Sequence, residues 1–224
     1  MKLELRKTAD GSNTLYVPEL DEHYHSFHGA LQEAQHVFIK NGLLNQEKKS
    51  IRILEVGFGT GLNALLTACE AVRSNYTIDY VGVEAYPVTT ELMQKMDYGA
   101  LITHNNVALF LEQIIYAEWQ QSNTIHSKFK LIKLERRIED SECDKKFDLI
   151  YFDAFGPRVQ AEMWDISILK KMYSFLNLNG ELVTYCAKGQ FKRDLKSADF
   201  EVFNLPGPPG KREMVRARKN KSVF

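Results

Sequence analysis

The sequence predicts an α/β fold in which a mostly parallel, Rossmann-like sheet of seven strands ends in an antiparallel hairpin and follows an N-terminal extension. From Ile51 onward, short apolar runs alternate with segments of helical spacing, the pattern of a parallel sheet with helices on both faces. The first run leads through the glycine-rich turn "GFGTG" into a helix. Only the loop "PGPPGKR" separates the last two runs, which favours an antiparallel pair.

Seven apolar runs mark the strands of this sheet. In chain order they are "IRILEV" from Ile51, "TIDYVGVE" from Thr77, "FKLIKL" from Phe129, "FDLIYFD" from Phe147, "NGELVTYCA" from Asn179, "FEVFNL" from Phe200 and "EMVRARK" from Glu213. The run from Asn179 opens with a turn and then becomes a strand.

Helices are predicted between these strands by apolar spacing. One follows the glycine turn, one starts at about Val88, and "NVALFLEQIIYAEWQ" forms a third. The faces of the first and of a fourth helix consist of Leu62, Leu65, Leu66, Cys69 and Val72, and of Ile166, Leu169, Met172, Tyr173 and Leu176.

The segment before this pattern has few strand signals. Residues 1–50 are expected to form an N-terminal extension that packs on the active-site rim, with a helix from Ala30 to Ile39. Residues 51–224 are expected to form the catalytic domain.

Composition restricts the function and the compartment. The 29 basic and 29 acidic residues cancel, which argues against an overall electrostatic grip on nucleic acid but leaves room for a local basic patch. Cys69, Cys143 and Cys186 are far apart and form no CxxC pair, so reduced thiols are expected. No signal peptide and no apolar stretch of about 18 residues is visible, so a cytoplasmic protein is expected.

The turn "LEVGFGTGLNALL" is the strongest chemical signal. Glu55, Gly57, Gly59 and Gly61 give the spacing E-x-G-x-G-x-G between a strand and a helix, and Phe58 lies within the turn. A dinucleotide site favours G-x-G-x-x-G, which fails here because Leu62 follows Gly61. The spacing suits S-adenosylmethionine (SAM), which has no pyrophosphate. The alternative is a merely tight strand-to-helix turn.

Acids at the ends of the next two strands extend this cofactor site. Glu84 ends the second strand, where a carboxylate can bind both ribose hydroxyls, and Ala85 follows it. The alternative for Glu84 is a solvated strand end. Glu135 ends the third strand and is a candidate for the adenine amine, a position for which Glu139 and Asp140 compete.

The stretch "FDLIYFDAFGPRVQAEMW" places a carboxylate at the end of a buried strand. Asp153 is expected on the same rim as Gly57, with Phe155 and Pro157 as an apolar wall. Asp-x-Phe-x-Pro resembles the (Asn/Asp)-Pro-Pro-aromatic loops of amino methyltransferases. A carboxylate there can orient an amine and take hydrogen bonds from it as positive charge develops. The alternative is that Asp153 only caps the next helix.

Basic residues cluster near the predicted hairpin loop. Lys211 and Arg212 lie in that loop, and Lys188, Lys192 and Arg193 follow the preceding strand. They are candidates for contacts with phosphates, and the alternative is a solvated face. His23, His25 and His28 lack an accompanying acid or cysteine set, so no metal site is predicted.

Taken together, these segments resemble the methyltransferase domain of the bacterial MnmC wobble-uridine modification enzymes. The matching segments are "LDEHYHSFHGALQEAQHVFI", "LEVGFGTGLNAL", "VEAYP", "FDAFGPRVQAEMW", "LVTYCAKG" and "LPGPPGKREMVRA". The resemblance implies a class I SAM-dependent methyltransferase fold. It also implies methylation of 5-aminomethyl-uridine, often 2-thiolated, to 5-methylaminomethyl-uridine at position 34 of tRNA.

Carried over by position, the resemblance assigns cofactor contacts to the glycine turn and Glu84, and contact with the substrate amine to Asp153. Tyr24, His25 and Glu33 would help to close the site. The partner is then the anticodon region of tRNA, and a monomer without metal is expected.

The sequence departs from the family in two places. Many relatives carry a fused FAD-dependent oxidase domain that makes the amine, and 224 residues leave no room for one, so a stand-alone transferase and a separate amine-supplying enzyme are expected. In addition, Lys192 and Arg193 stand where relatives usually have two arginines, and lysine cannot make the bidentate contact of arginine.

Three other functions compete on the same fold. An aminopropyltransferase like spermidine synthase also uses an amine acceptor, but its site should carry more acids for a polycation. A methyltransferase for small-molecule amines and a non-catalytic RNA-binding module are the other two. The basic loops favour a polyanionic substrate, and the intact glycine turn with Asp153 favours catalysis.

Overall fold

An eight-stranded sheet forms the centre of the protein. In the computed structural model, which describes residues 2–220, its strands are β4 (Ser50–Val56), β5 (Thr77–Glu84), β6 (Ser122–His126), β7 (Phe129–Glu135), β8 (Phe147–Phe152), β9 (Leu176–Thr184), β10 (Phe200–Pro206) and β11 (Glu213–Lys219). Their spatial order is β10-β11-β9-β8-β4-β5-β7-β6. The five strands from β9 to β7 pair in parallel, and β10 and β11 form the antiparallel hairpin. The predicted fold class is confirmed, together with all seven predicted strands.

The eighth strand, β6, is missing from the prediction. It pairs antiparallel with β7 at the edge of the sheet. Its sequence "SNTIH" places only Ile125 in the core, so backbone pairing and not apolar burial keeps it in the sheet.

Helices cover both faces of the sheet. They are α1 (Ala30–Ala34), which continues as a π-helical turn (Gln35–Lys40), α2 (Leu62–Arg73), α3 (Thr90–Lys95), α4 (Val107–Tyr116), α5 (Ile166–Phe175) and α6 (Gly189–Ser197). The π-helical turn, α2 and α4 contribute to one apolar core, and α5 and α6 contribute to the other. Among residues 2–220, no helix combines the length and apolar character needed to cross a membrane.

Two helix boundaries differ from the prediction, and one helix was not predicted. Helix α4 ends at Tyr116, because the chain then turns so that Trp119 can bridge to Lys133 of β7. Leu176 belongs to β9 and not to α5; its strand contains an irregularity near Asn179, where the sequence suggested a turn. Helix α6 was not predicted, since only Phe191 and Leu195 are buried on it.

The N-terminal segment contains a small antiparallel sheet, so the expectation of few strands there is wrong. Strands β1 (Glu4–Lys7), β2 (Asn13–Val17) and β3 (Glu22–His23) are too short for a clear alternation of polar and apolar residues. The segment contacts the hairpin through a hydrogen bond of 2.8 Å between His36 Nε2 and the carbonyl oxygen of Pro206. The division at residue 50 stays a prediction, and residues 221–224 of the expected domain lie outside the described residues.

Candidate active site

A cavity of about 290 Å³ opens at the carboxyl ends of β4, β5 and β8. The residues that follow these strands line it, as expected for a ligand site in a parallel sheet. Of the residues that the sequence predicted for the site, the cavity brings together Tyr24, His25, Gly57, Phe58, Gly59, Glu84, Ala85, Asp153 and Phe155.

The glycine turn after β4 shapes one wall of the cavity. Gly57 has a φ of +89°, and a Cβ atom there would lie 2.5 Å from the carbonyl oxygen of Asp153. The backbone N–H groups of Gly57 and Phe58 both donate to the carbonyl oxygen of Val83, which ties the turn to β5. A larger residue at position 57 would therefore push the turn and the Asp153 loop apart. Gly61 does not line the cavity; it starts α2 with a φ of +78°.

Glu84 anchors the same turn from the end of β5. One carboxyl oxygen accepts the N–H of Gly59 and the other accepts the N–H of Tyr86, both at 2.9 Å. Burial raises the pKa of Glu84 above its ordinary value. Because each carboxyl oxygen has a second lone pair, Glu84 can still accept from two ligand hydroxyls.

Besides Gly61, two predicted cofactor contacts do not line the cavity. Glu135 is exposed at the end of β7, and the chain reaches the cavity only with the following residues, which include Arg136 and Glu139. Glu55 points away from the cavity and is 1% exposed. Its carboxyl oxygens accept from Asn63 Nδ2 and from the Tyr80 hydroxyl, both at 2.8 Å.

Asp153 lies on the cavity wall and is not a helix cap. Helix α5 is capped instead by Asp165, whose side chain accepts the N–H of Ser167 at 2.8 Å. Asp153 Oδ2 accepts a hydrogen bond of 2.8 Å from Asn63 Nδ2. The helix-cap alternative for Asp153 is therefore wrong.

The surroundings of Asp153 favour its neutral form more than water does. Burial, and next the negative charge of Glu33, raise the pKa of Asp153 to about 7, against the lowering effects of the Asn63 hydrogen bond and the Lys211 charge. At neutral pH the carboxyl is therefore divided between its two protonation states. A group with such a pKa can both accept and release a proton under physiological conditions.

Aromatic and histidine side chains from the N-terminal segment close the cavity. The rings of Tyr24 and Phe155 meet edge to face with centroids 5.0 Å apart. The Thr14 hydroxyl holds His25, because it accepts the backbone N–H of His25 and contacts its Nδ1. Burial lowers the pKa of His25 to about 4, so it is neutral at pH 7. The N-terminal segment thus contributes apolar and uncharged surface to the site.

An open groove lies beside the cavity, on the other side of the loop that follows Asp153. Its lining includes the predicted Pro157, Lys188, Lys211 and Arg212, together with Arg158, which was not predicted. Pro157 therefore faces this groove and not the cavity. Arg193 lies outside the groove lining and bonds to Gln190 on its own helix.

Lys211 is engaged within the protein. Its ammonium lies 2.5 Å from Glu33 and 3.8 Å from the centre of the Tyr185 ring. A lysine in an ion pair of this kind is poorly placed to bind a phosphate, so Arg212 and Lys188 are the better candidates. Sequence reasoning gave Glu33 no partner and missed Tyr185 and Asn63, because nothing in their local patterns indicates contacts across the fold.

Among residues 2–220, no group of three or more histidine, cysteine or acidic side chains is arranged to hold a metal ion. The three cysteines are free thiols.

Comparison with known proteins gives a family match and several relatives. The family described as S-adenosyl-L-methionine-dependent methyltransferase matches residues 103–220. The tRNA 5-methylaminomethyl-2-thiouridine biosynthesis bifunctional protein MnmC of Cupriavidus metallidurans is 31% identical, over 92% of this chain and 32% of that protein. The protein of the same name from a Marinomonas species is 28% identical, with coverages of 92% and 32%. The chain thus spans about a third of the length of these relatives.

Two solved structures share the fold. The crystal structure of MNMC2 from Aquifex aeolicus superposes with a TM-score of 0.74 at 25% identity, covering 96% of this chain and 69% of that one. A methyltransferase from Pyrococcus furiosus superposes with a TM-score of 0.53 at 15% identity, covering 91% of each chain. The second match supports the fold alone.

Proposed function

This chain belongs to the S-adenosyl-L-methionine-dependent methyltransferase family, and we propose that it methylates the amine of 5-aminomethyl-uridine, with or without a 2-thio group, at position 34 of tRNA. The observation that carries the proposal is the partly buried carboxyl of Asp153, whose pKa is raised to about 7, in the cavity beside the glycine turn. The names of the MnmC relatives support this choice of substrate.

The residues of the cavity fit SAM. Gly57 and Gly59 leave space at the turn that side chains would reduce, and Glu84 offers acceptor oxygens for the ribose hydroxyls. When bound, SAM supplies an activated methyl group. The apolar edge formed by Tyr24 and Phe155 would exclude water from the reacting groups.

Asp153 performs the protein's part of the chemistry in this proposal. An alkylamine is mostly an ammonium ion near pH 7, because its pKa is roughly 10, and only the neutral nitrogen has a lone pair for attack. The Asp153 carboxylate attracts the ammonium, orients it and accepts one of its protons. Because burial brings the pKa of Asp153 to about 7, the carboxyl can then pass that proton to solvent.

The groove beside the cavity supports a nucleic-acid substrate. Lys188 and Arg212 lie on its surface within reach of a backbone that leads away from the target base. The proposal puts the reaction in the cytoplasm, where tRNA is found. It also requires an activity that makes the amine beforehand, and a separate enzyme for that step stays a prediction.

The proposal is tested by methyl transfer from labelled SAM into tRNA from cells that lack this gene. After digestion, we expect a gain of one methyl group on 5-aminomethyl-uridine, identified by mass. Fully modified tRNA is the control and should accept no methyl group. Transfer to another nucleoside, or to a polyamine but not to tRNA, would contradict the proposed substrate.

Arg212 and Lys211 are expected to differ although they are adjacent. Arg212→Ala should weaken tRNA binding about threefold to tenfold and lower the salt dependence of binding by about one phosphate contact, while SAM affinity stays the same. Filter binding at several salt concentrations, with SAM affinity from calorimetry, measures both effects. An equal loss of tRNA and SAM affinity would contradict a phosphate contact for Arg212.

Lys211→Ala is the matched variant. It removes the partner of the largely buried Glu33, so the free energy of unfolding should decrease by about 1–3 kcal/mol. It also removes a positive charge that lowers the pKa of Asp153, so methyl transfer near pH 7 should slow down. Urea unfolding and rate measurements check these effects. If Lys211→Ala weakens tRNA binding but leaves the stability unchanged, Lys211 is a phosphate contact and not a partner of Glu33.

A further inference from the structure

Three polar side chains form a chain of contacts that runs from the cavity wall into the core. They are Glu55 on β4, Asn63 on α2 and Asp153 after β8. Asn63 Nδ2 donates to Glu55 Oε1 and to Asp153 Oδ2, each at 2.8 Å. Asn63 is 4% exposed and Glu55 is 1% exposed, so water competes little for these bonds.

The geometry fixes the orientation of all three groups. A carboxamide nitrogen carries two hydrogens, and Asn63 uses one for each carboxyl. Glu55 is held from its other side by the Tyr80 hydroxyl at 2.8 Å. Glu55 and Tyr80 therefore fix the Asn63 amide from behind, and its second N–H points to Asp153.

We propose that Asn63 is a positioning residue that holds the Asp153 carboxyl toward the cavity and favours its ionised form, with Glu55 as the anchor of Asn63. The role in methyl transfer rests on the proposed function, in which Asp153 meets the substrate amine. The bond between Asn63 and Asp153 can be tested without tRNA.

The charges around the chain of contacts support these roles. Burial, followed by the charge of Asp153, raises the pKa of Glu55 well above its ordinary value. Two ionised carboxylates that share one amide would repel each other. The other titratable groups that interact electrostatically with Asp153 are Glu33, Lys211, Tyr80, Tyr98 and Tyr185.

This arrangement explains the acid in the glycine motif differently from the sequence prediction. Glu55 was predicted to contact the cofactor, but it lies behind the wall and acts through Asn63. The acid that starts the glycine turn would then help to position the residue that meets the substrate.

The first test follows the Asp153 carboxyl directly, by carbon NMR of protein labelled at the aspartate carboxyl carbon, with Asp153→Asn used to assign the signal. In the wild type we expect the Asp153 signal to titrate with a midpoint near pH 7. Asn63→Ala removes a hydrogen bond to the ionised form, so the midpoint should rise by about one pH unit. Asn63→Asp, of nearly equal size but without the amide donors, should raise it at least as much and serves if the alanine variant does not fold.

Thr67→Val is the matched control. Thr67 is buried one turn later on α2, and its side chain bonds to the Tyr151 hydroxyl at 3.4 Å. Its loss should leave the Asp153 midpoint where it is in the wild type. An unchanged midpoint in both Asn63 variants, or an equal shift in Thr67→Val, would overturn the proposal.

The second test is the rate of methyl transfer against pH. A midpoint one unit higher leaves about a tenth of Asp153 ionised at pH 7, so Asn63→Ala should be about fivefold slower there and should recover toward pH 9. A loss that stays constant with pH would overturn the proposal in favour of a merely structural role. If the wild type does not methylate tRNA but the Asn63 variants still shift the titration midpoint of Asp153, the result supports the contact between Asn63 and Asp153. It then counts only against the proposed substrate.

Discussion

Asp153→Asn is expected to lower the rate of methyl transfer by at least about a hundredfold while SAM affinity changes by less than about twofold. The amide has the shape of the carboxyl and can still accept the N–H of Asn63, so the cavity keeps its form. What it loses is the negative charge that attracts the ammonium and the site that accepts its proton. The cofactor turn is unaffected, because Gly57 faces only the backbone carbonyl of Asp153.

The comparison needs a control with the same chemical change. Asp165→Asn provides it, because Asp165 caps α5 twelve positions later in the sequence and does not line the cavity. Single-turnover rates and SAM calorimetry for both variants separate the two effects. Nearly normal turnover of Asp153→Asn would exclude Asp153 as the group that accepts the proton.

The dependence on pH follows from the same carboxyl. Because the pKa of Asp153 is raised to about 7, the ionised form increases as the pH rises through that value. The wild-type rate should therefore increase from pH 6 to pH 8. Asp153→Asn should not show this component, whereas Asp165→Asn should retain it.

The strands that are buried on both faces could be predicted from the sequence, because such strands consist mostly of apolar residues. The central strands such as β8, "FDLIYF", are covered by helices on both faces, and their composition reveals them. Strand β6 and the N-terminal strands lie at edges or in a small sheet, where backbone pairing needs no apolar run. Strand β2 has only five residues and its burial does not alternate strictly, so its sequence does not separate it from a loop.

The site could be predicted where backbone topology alone decides it. Gly57, Glu84 and Asp153 follow parallel strands, and the carboxyl ends of such strands meet at one edge. The other contacts of the site depend on the direction in which each side chain points. Lys211 has its partner Glu33 far away in the sequence, and Glu55 has its partner Asn63 across the glycine turn. No local pattern shows that these residues would pair.

Glu84→Ala is the second variant with a large expected effect, a loss of SAM affinity of about a hundredfold. The change removes the acceptors for the N–H groups of Gly59 and Tyr86, so the cofactor turn loses its support at β5. It also removes the acceptors proposed for the ribose hydroxyls. Loss of hydrogen bonds to a carboxylate costs about 1.5–3 kcal/mol each, and about 2.7 kcal/mol corresponds to the expected factor.

Glu135→Ala is the control for this prediction. Glu135 lies directly opposite Glu84 in the register of β5 and β7, and both are strand-end acids that the sequence assigned to the cofactor. Only Glu84 lines the cavity, so calorimetry should show SAM affinity within about twofold of wild type for Glu135→Ala. Comparable losses in both variants would mean that the cofactor extends across β7. A loss confined to Glu84→Ala would mean that SAM binding depends on the strand-end acid of β5, which supports the glycine turn and lines the cavity, and not on that of β7.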